Sequence, residues 1–124
     1  MRVSIVIETF NLLGGDVESG LQALATRLRS QISPLATRAD FVVTHVGLPG
    51  AARARLDAAL GRPARWVELT STADYYEHKN RGFDAAEGDV VAFIDGDCAP
   101  VPAWLGALVG PILAGDVSVV AGRT

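Results

Sequence analysis

Val90-Val91-Ala92-Phe93-Ile94-Asp95-Gly96-Asp97 is an uncharged apolar run that ends in two carboxylates. Val90, Val91, Phe93 and Ile94 are β-branched or aromatic, so Val90–Ile94 reads as a buried strand. Asp95 and Asp97 fall where that strand leaves the sheet. Gly96 between them lets the backbone turn, so that both side chains can face one point. Two hard oxygen ligands at the carboxyl end of a parallel strand suit a divalent cation, an ion that often carries phosphates. An ordinary acidic turn of Asp and Gly is the plainer alternative.

The flanking sequence alternates in type. Val3–Ile7 is a short apolar strand at the start. Asp16 is positioned to cap a helix whose apolar residues Val17, Leu21, Leu24, Leu28 and Ile32 share one face, with Pro34 as its stop. Phe41–Val46 is a second strand, closed by Gly47-Leu48-Pro49-Gly50. Ala51–Leu60 is a helix stopped by Gly61 and Pro63, and Trp66–Leu69 a third strand. Ser71 or Thr72 is the expected cap of a helix over Ala73–Glu87, with Gly88 at its C′ position. The strand Asp89–Ile94 follows, then a helix over Trp104–Leu113 and a final strand at Val117–Val120. This order predicts an α/β fold of three layers, α/β/α, with a mainly parallel sheet. Ligands in such folds bind beyond the carboxyl ends of the strands. That edge collects Glu8–Asn11, His45–Gly47, Thr70–Thr72 and Asp95–Asp97.

The chain has 124 residues, 49% of them hydrophobic, which is enough for one compact domain with a real core. A net charge of -3 argues against a nucleic-acid binder that works by neutralising phosphates. Lys79 is the only lysine. Cys98 is the only cysteine, so no intrachain disulfide can form and a reducing, cytoplasmic setting is expected, free or peripheral at the inner face of a membrane. Cys98 to Gly115 is long and uncharged, but Pro100, Pro102 and Pro111 oppose a spanning helix, so no membrane span is expected.

Two further segments bear on the Asp95–Asp97 turn. Lys79-Asn80-Arg81-Gly82 lies in the helix before the strand. Asn80 and Gly82 are poor helix formers there, and Gly82 allows close approach of another backbone or a ligand. Lys79 and Arg81 can offset the charge of a diphosphate. Glu8-Thr9-Phe10-Asn11, at the end of the first strand, offers polar groups and a ring for a nucleobase or ribose. A solvated basic turn and a polar loop are the respective alternatives.

Taken together, these segments resemble family-two glycosyltransferases. Val3-Ser4-Ile5-Val6-Ile7-Glu8-Thr9-Phe10-Asn11 is similar to the family's opening "VSVVIPTYN". The segment Lys79–Asp89 is similar to its "ARNxGxxxAxGE", and Phe93–Asp97 to its "FLDxD". Pro102-Ala103-Trp104-Leu105 and Val117–Gly122 match the segment after it. The resemblance implies a GT-A (Rossmann-like) fold that binds a nucleotide-diphosphate sugar, with a UDP-sugar as the expected donor. It implies that Glu8, Thr9, Phe10, Asn11, His45, Lys79, Asn80, Gly82, Asp95 and Gly96 line the donor site. Asp97, with Asp95, would hold Mn²⁺ or Mg²⁺ against the diphosphate. It also implies transfer with inversion, an acceptor hydroxyl being activated by a general base.

Several positions depart from the family pattern. Glu8 stands where the family has proline. Thr44-His45-Val46-Gly47-Leu48 replaces "VDDGS", so the acid that reads the base is missing and His45 is the candidate substitute. Lys79 stands where arginine is usual. The acceptor-binding half and the base normally follow the last strand seen here, and Asp84, Glu87 and Asp89 are misplaced for that role. Residues 1–124 are therefore expected to be a single nucleotide-sugar-binding domain with the acceptor-binding half missing, inactive alone and with its catalytic residue unassigned. The competing expectation is a non-catalytic α/β module that forms a homo-oligomer through an uncovered sheet edge.

Overall fold

A computed structural model describes residues 1–33, 35 and 38–122. Its sheet has four strands, all parallel, in the order β3-β2-β1-β4. The strands are β1 (Arg2–Glu8), β2 (Arg38–His45), β3 (Arg65–Glu68) and β4 (Val90–Asp95). The α-helices are α1 (Val17–Ile32), α2 (Gly50–Leu60), α3 (Tyr75–Ala85) and α4 (Trp104–Leu113), and a 3₁₀ turn covers Phe10–Leu12. The predicted Pro34 stop lies outside the described residues.

The central strand explains the layering. Side chains alternate across a strand, and both faces of β1 are buried. Val3, Ile5 and Ile7 join Phe41, Val43, Ala92 and Ile94 in one core with Leu21, Leu24, Leu28 and Ile32 of α1, Leu56 and Leu60 of α2, and Leu105 and Val109 of α4. The opposite face, carrying Ser4, Val6, Glu8 and Thr44, is covered by α3. Asp16 starts α1 as expected, its carboxylate accepting from the Ser19 amide at 3.0 Å.

Three local expectations change. Residues 117–120 form no strand: Val117 and Val119 are exposed, and no described strand pairs with them. An apolar β-prone run supplies propensity, but a strand also needs a neighbour to bond. The cap of α3 is Asp74, which accepts from the Glu77 amide at 2.8 Å, while Ser71 and Thr72 lie in the preceding turn. Asp74→Ala should lower stability by about 1 kcal/mol in a urea melt, whereas Thr72→Ala should leave it nearly unchanged; equal effects would reject this assignment. Finally, α3 ends at Ala85, so Gly88 is not its C′ residue. Gly88 lies tight against β1, where a Cβ would come 2.6 Å from the Ser4 amide nitrogen and 2.8 Å from the Arg2 carbonyl oxygen.

No helix among the described residues is long and apolar enough to cross a membrane. The uncharged run after Cys98 is instead interrupted, and its helix α4 has 10 residues with Pro111 inside it.

Candidate functional site at the carboxyl end of the sheet

The turn after β4 is built by two backbone bonds. The Cys98 amide donates to the Asp95 carbonyl at 3.0 Å, and the Gly96 amide donates to the Glu8 carbonyl at 2.8 Å. A Cβ at position 96 would lie 2.8 Å from that Glu8 oxygen, so glycine is required by the close approach of β1. The turn gathers one ligand atom each from Asp95, Asp97 and Cys98 within 4.8 Å of one another. Asp95 is half-buried, and Asp97 and Cys98 are exposed. Two carboxylates and a thiol at this spacing form a donor set that fits one divalent cation.

The helix α3 sets the charge of Asp95. Lys79 Nζ donates to Asp95 Oδ1 at 2.8 Å, and Tyr75 Oη lies 3.1 Å from both Asp95 oxygens. Tyr75 and Lys79 are four residues apart and share a helix face; Lys79 Nζ sits 4.9 Å from the Tyr75 ring centre. Burial alone would raise the Asp95 pKa. The hydrogen bond and charge of Lys79, with hydrogen bonds from Tyr75 and Glu8, outweigh it and hold the carboxylate below its usual range.

Glu8 is opposite Asp95 in the β1–β4 register. It is only 1% exposed. One oxygen, Oε2, accepts from the Phe10 amide at 2.7 Å; the other, Oε1, meets no donor among the described residues. The two carboxyl groups face each other, an arrangement that is favourable when one of them holds a proton. Burial, reinforced by the charge of Asp95, pushes Glu8 up to about 7, so Glu8 is the one that holds it.

The other expected residues divide between site and scaffold. Thr9 is buried, its hydroxyl donating to the Thr44 carbonyl at 2.9 Å. The Thr44 hydroxyl in turn meets His78 Nδ1 at 2.7 Å. The partly exposed Phe10 ring packs edge-on to Tyr75 and His78, and Asn11 is exposed beside it. Asn80 is exposed on α3. Gly82 is buried, its absent side chain leaving room for Val6 and Thr44. His45 belongs to the opposite sheet face from Thr44. Its Nδ1 accepts from the Leu48 amide at 3.1 Å and its ring meets Trp66, so it shapes the loop after β2. Burial lowers its pKa, which favours the neutral ring that this bond requires.

The structure thus brings Glu8, Phe10, Lys79, Asp95, Gly96 and Asp97 together and places Gly82 and His45 in packing. Tyr75 and Cys98 complete the cluster without having been singled out from sequence. Their signals were spacing: Tyr75 precedes Lys79 by one helical turn, and Cys98 closes the turn begun by Asp95. A hollow of about 1000 Å³ runs along the outer edge of β4 beneath Trp104 and Leu108 and touches the cluster only at Asp95 and Cys98. It is the open side of an edge strand rather than a cup for a polar ligand. Asp84, Glu87 and Asp89 belong to the other end of the sheet. There Glu87 pairs with Arg65 and Arg2, which hold it down to about 2, and Asp89 accepts from the Arg2 amide.

No curated protein matches the chain in sequence. Among solved structures, S. aureus TarS 1–349 superposes with a TM-score of 0.61 at 18% identity, covering 92% of this chain and 33% of that one. The chain therefore spans about a third of that structure and shares its GT-A type fold. The family model for glycosyl transferase family 2 matches residues 4–124. That match spans nearly the whole chain, so the chain belongs to glycosyl transferase family 2.

Proposed function

We propose that these residues bind the donor of a glycosyltransferase, a nucleotide-diphosphate sugar with UDP as the carrier, together with Mn²⁺ or Mg²⁺. The observation that carries this reading is the convergence of Asp95, Asp97 and Cys98 at the end of β4 in a family 2 chain. Asp97, exposed and free of the Lys79 bond that engages Asp95, is the ligand for the cation. Asp95 faces the nucleoside side with Phe10 and Tyr75 nearby. Lys79 contributes one fixed positive charge. The cation, when bound, neutralises charge on the departing diphosphate. Transfer goes to an acceptor hydroxyl with inversion, and the base that activates this hydroxyl is none of Asp84, Glu87 and Asp89, which are held at the far end of the sheet.

Calorimetric titration with UDP, with and without Mn²⁺, tests this. Binding should need the metal, and Asp97→Asn should weaken the metal-dependent part by about tenfold or more. Failure of UDP, GDP and dTDP alike to bind with Mn²⁺ would remove the donor-site reading. Unchanged metal dependence in Asp97→Asn would remove Asp97 from its role.

A further inference from the structure

His78 is a fully buried polar group for which the donor-site reading has no use. Its Nδ1 meets the Thr44 hydroxyl at 2.7 Å, whereas its Nε2 has no hydrogen-bond partner among the described residues. A buried polar atom left unpaired costs stability until a partner reaches it.

The neighbouring hydroxyls decide which hydrogen the ring carries. The Thr9 hydroxyl donates to the Thr44 carbonyl at 2.9 Å. Among the described residues the Thr44 hydroxyl meets only His78, so its hydrogen goes to Nδ1. Burial lowers the His78 pKa and keeps the ring neutral. A neutral ring that accepts at Nδ1 carries its hydrogen at Nε2. The unpaired atom is therefore an N–H group, which seeks a carbonyl oxygen.

That group lies at the nucleoside side of the site. Tyr75 Oη is 3.1 Å from Asp95. The Phe10 ring packs edge-on 6.2 Å from the Tyr75 ring and 5.9 Å from the His78 ring. Asp95, Tyr75, Phe10 and His78 thus step in series away from the acidic turn. Thr44 is buried, whereas Phe10 is partly exposed in a 3₁₀ turn that has no buried residue. The way from solvent to Nε2 therefore passes Phe10. A flat ring that turns Phe10 aside and lies against it meets His78 with its far edge.

We propose that His78 selects the nucleobase, its Nε2–H donating to the 4-carbonyl of uracil or thymine and opposing the 4-amino group of cytosine. The inference rests on the donor-site reading, and it adds the class of base and the residue that chooses it. Uracil and cytosine have the same size, so the choice is one of hydrogen bonding: a carbonyl accepts the Nε2 hydrogen, whereas an amino group brings a second N–H against it. Thr44 acts through His78, because its hydroxyl fixes the hydrogen on Nε2.

Calorimetry with the full 124-residue chain and Mn²⁺, comparing UDP with CDP, tests this. UDP should bind about tenfold or more tightly than CDP, since CDP leaves the buried N–H unpaired. His78→Phe keeps a flat ring without the N–H and should remove the preference. The parent protein supplies a second readout that needs no substitution. It has two histidines, so the nitrogen spectrum of its imidazoles is simple. With Mg²⁺ as the metal, UDP should shift the Nε2 signal of His78 and pyrophosphate should not. His45, on the opposite sheet face, serves as the internal reference. Equal affinity for UDP and CDP, or a His78 signal unmoved at saturating UDP, would overturn the proposal. So would a His78→Phe variant that weakens UDP and CDP alike with their ratio unchanged, since the ring would then only support Phe10. In each of those cases metal-dependent binding of UDP leaves the donor site standing. If no nucleoside diphosphate binds with metal, both readings fall.

Discussion

Gly82→Val should lower the unfolding free energy by about 3 kcal/mol, equivalent to roughly 10 °C in the thermal midpoint. The reason is a collision. A Cβ at position 82 would run into Val6 Cγ1 and come 3.5 Å from Thr44 Cγ2. Val6 is 1% exposed, and its β-branched side chain is stiff, so it has no free rotamer to move into. The helix α3 would have to lift from the sheet. Because α3 carries Tyr75 and Lys79, lifting it would also loosen their hold on Asp95. A paired test isolates the contact: Gly82→Ala alone should destabilise by about 2 kcal/mol, the overpacking being offset in part by better helix propensity. In a Val6→Ala background, which removes the colliding methyl, the same change should be neutral or stabilising by up to about 1 kcal/mol. Additive effects in that cycle, measured by urea denaturation, would show that Val6 is not what Gly82 accommodates.

Gly82 also marks where sequence reading reached its limit. A glycine within a helix announces that something comes close, but not what. Next to Lys79 and Asn80 it left a ligand and another segment of the chain both open; in the fold it is Val6 and Thr44 of the neighbouring strands that come close. The surroundings of His45 were hidden for a related reason. Its place at a strand end was legible, but the face it occupies depends on strand register, and a residue one step away on β2 points to the other side. The four paired strands were legible because each is a bounded apolar run between turn signals, and the alternation with helices dictated parallel pairing. Residues 117–120 had the same local signature and no partner, which composition does not report. The Asp95–Asp97 turn was legible because its two acids and glycine are contiguous. Its supporting groups come from β1 and α3, far away in sequence. Tyr75 and the carboxyl of Glu8 could be joined to Asp95 only once the register Glu8↔Asp95 and the α3 crossing were known.

Glu8→Gln should make the protein more stable above neutral pH and flatten part of its pH dependence. The Glu8 carboxyl has an ordinary value of 4.5 and is pushed up to about 7 in the fold, first by burial and then by the charge of Asp95. An acid with a raised folded-state pKa binds its proton more tightly in the native state, so its ionisation opposes folding. The penalty is absent below pH 4.5, grows as pH rises through 7 and is complete above about pH 8, where it amounts to about 3 kcal/mol. Glutamine keeps both contacts without titrating, since its amide nitrogen donates to Asp95 and its oxygen accepts from the Phe10 amide. Asp95 works in the opposite sense: its lowered pKa contributes stability that is present above its ordinary value of 3.8 and lost on further acidification. His45 and His78, both pushed down by burial, cost stability as they are forced to charge at acidic pH. Those contributions are common to both proteins, so the difference between Glu8→Gln and the parent isolates Glu8. That difference should be close to zero near pH 4.5 and rise toward about 3 kcal/mol in favour of the glutamine variant by pH 8. Urea denaturation across this range measures it. Parallel curves for the two proteins would mean that Glu8 is ionised in the fold at neutral pH, and that its carboxylate faces Asp95 without a shared proton.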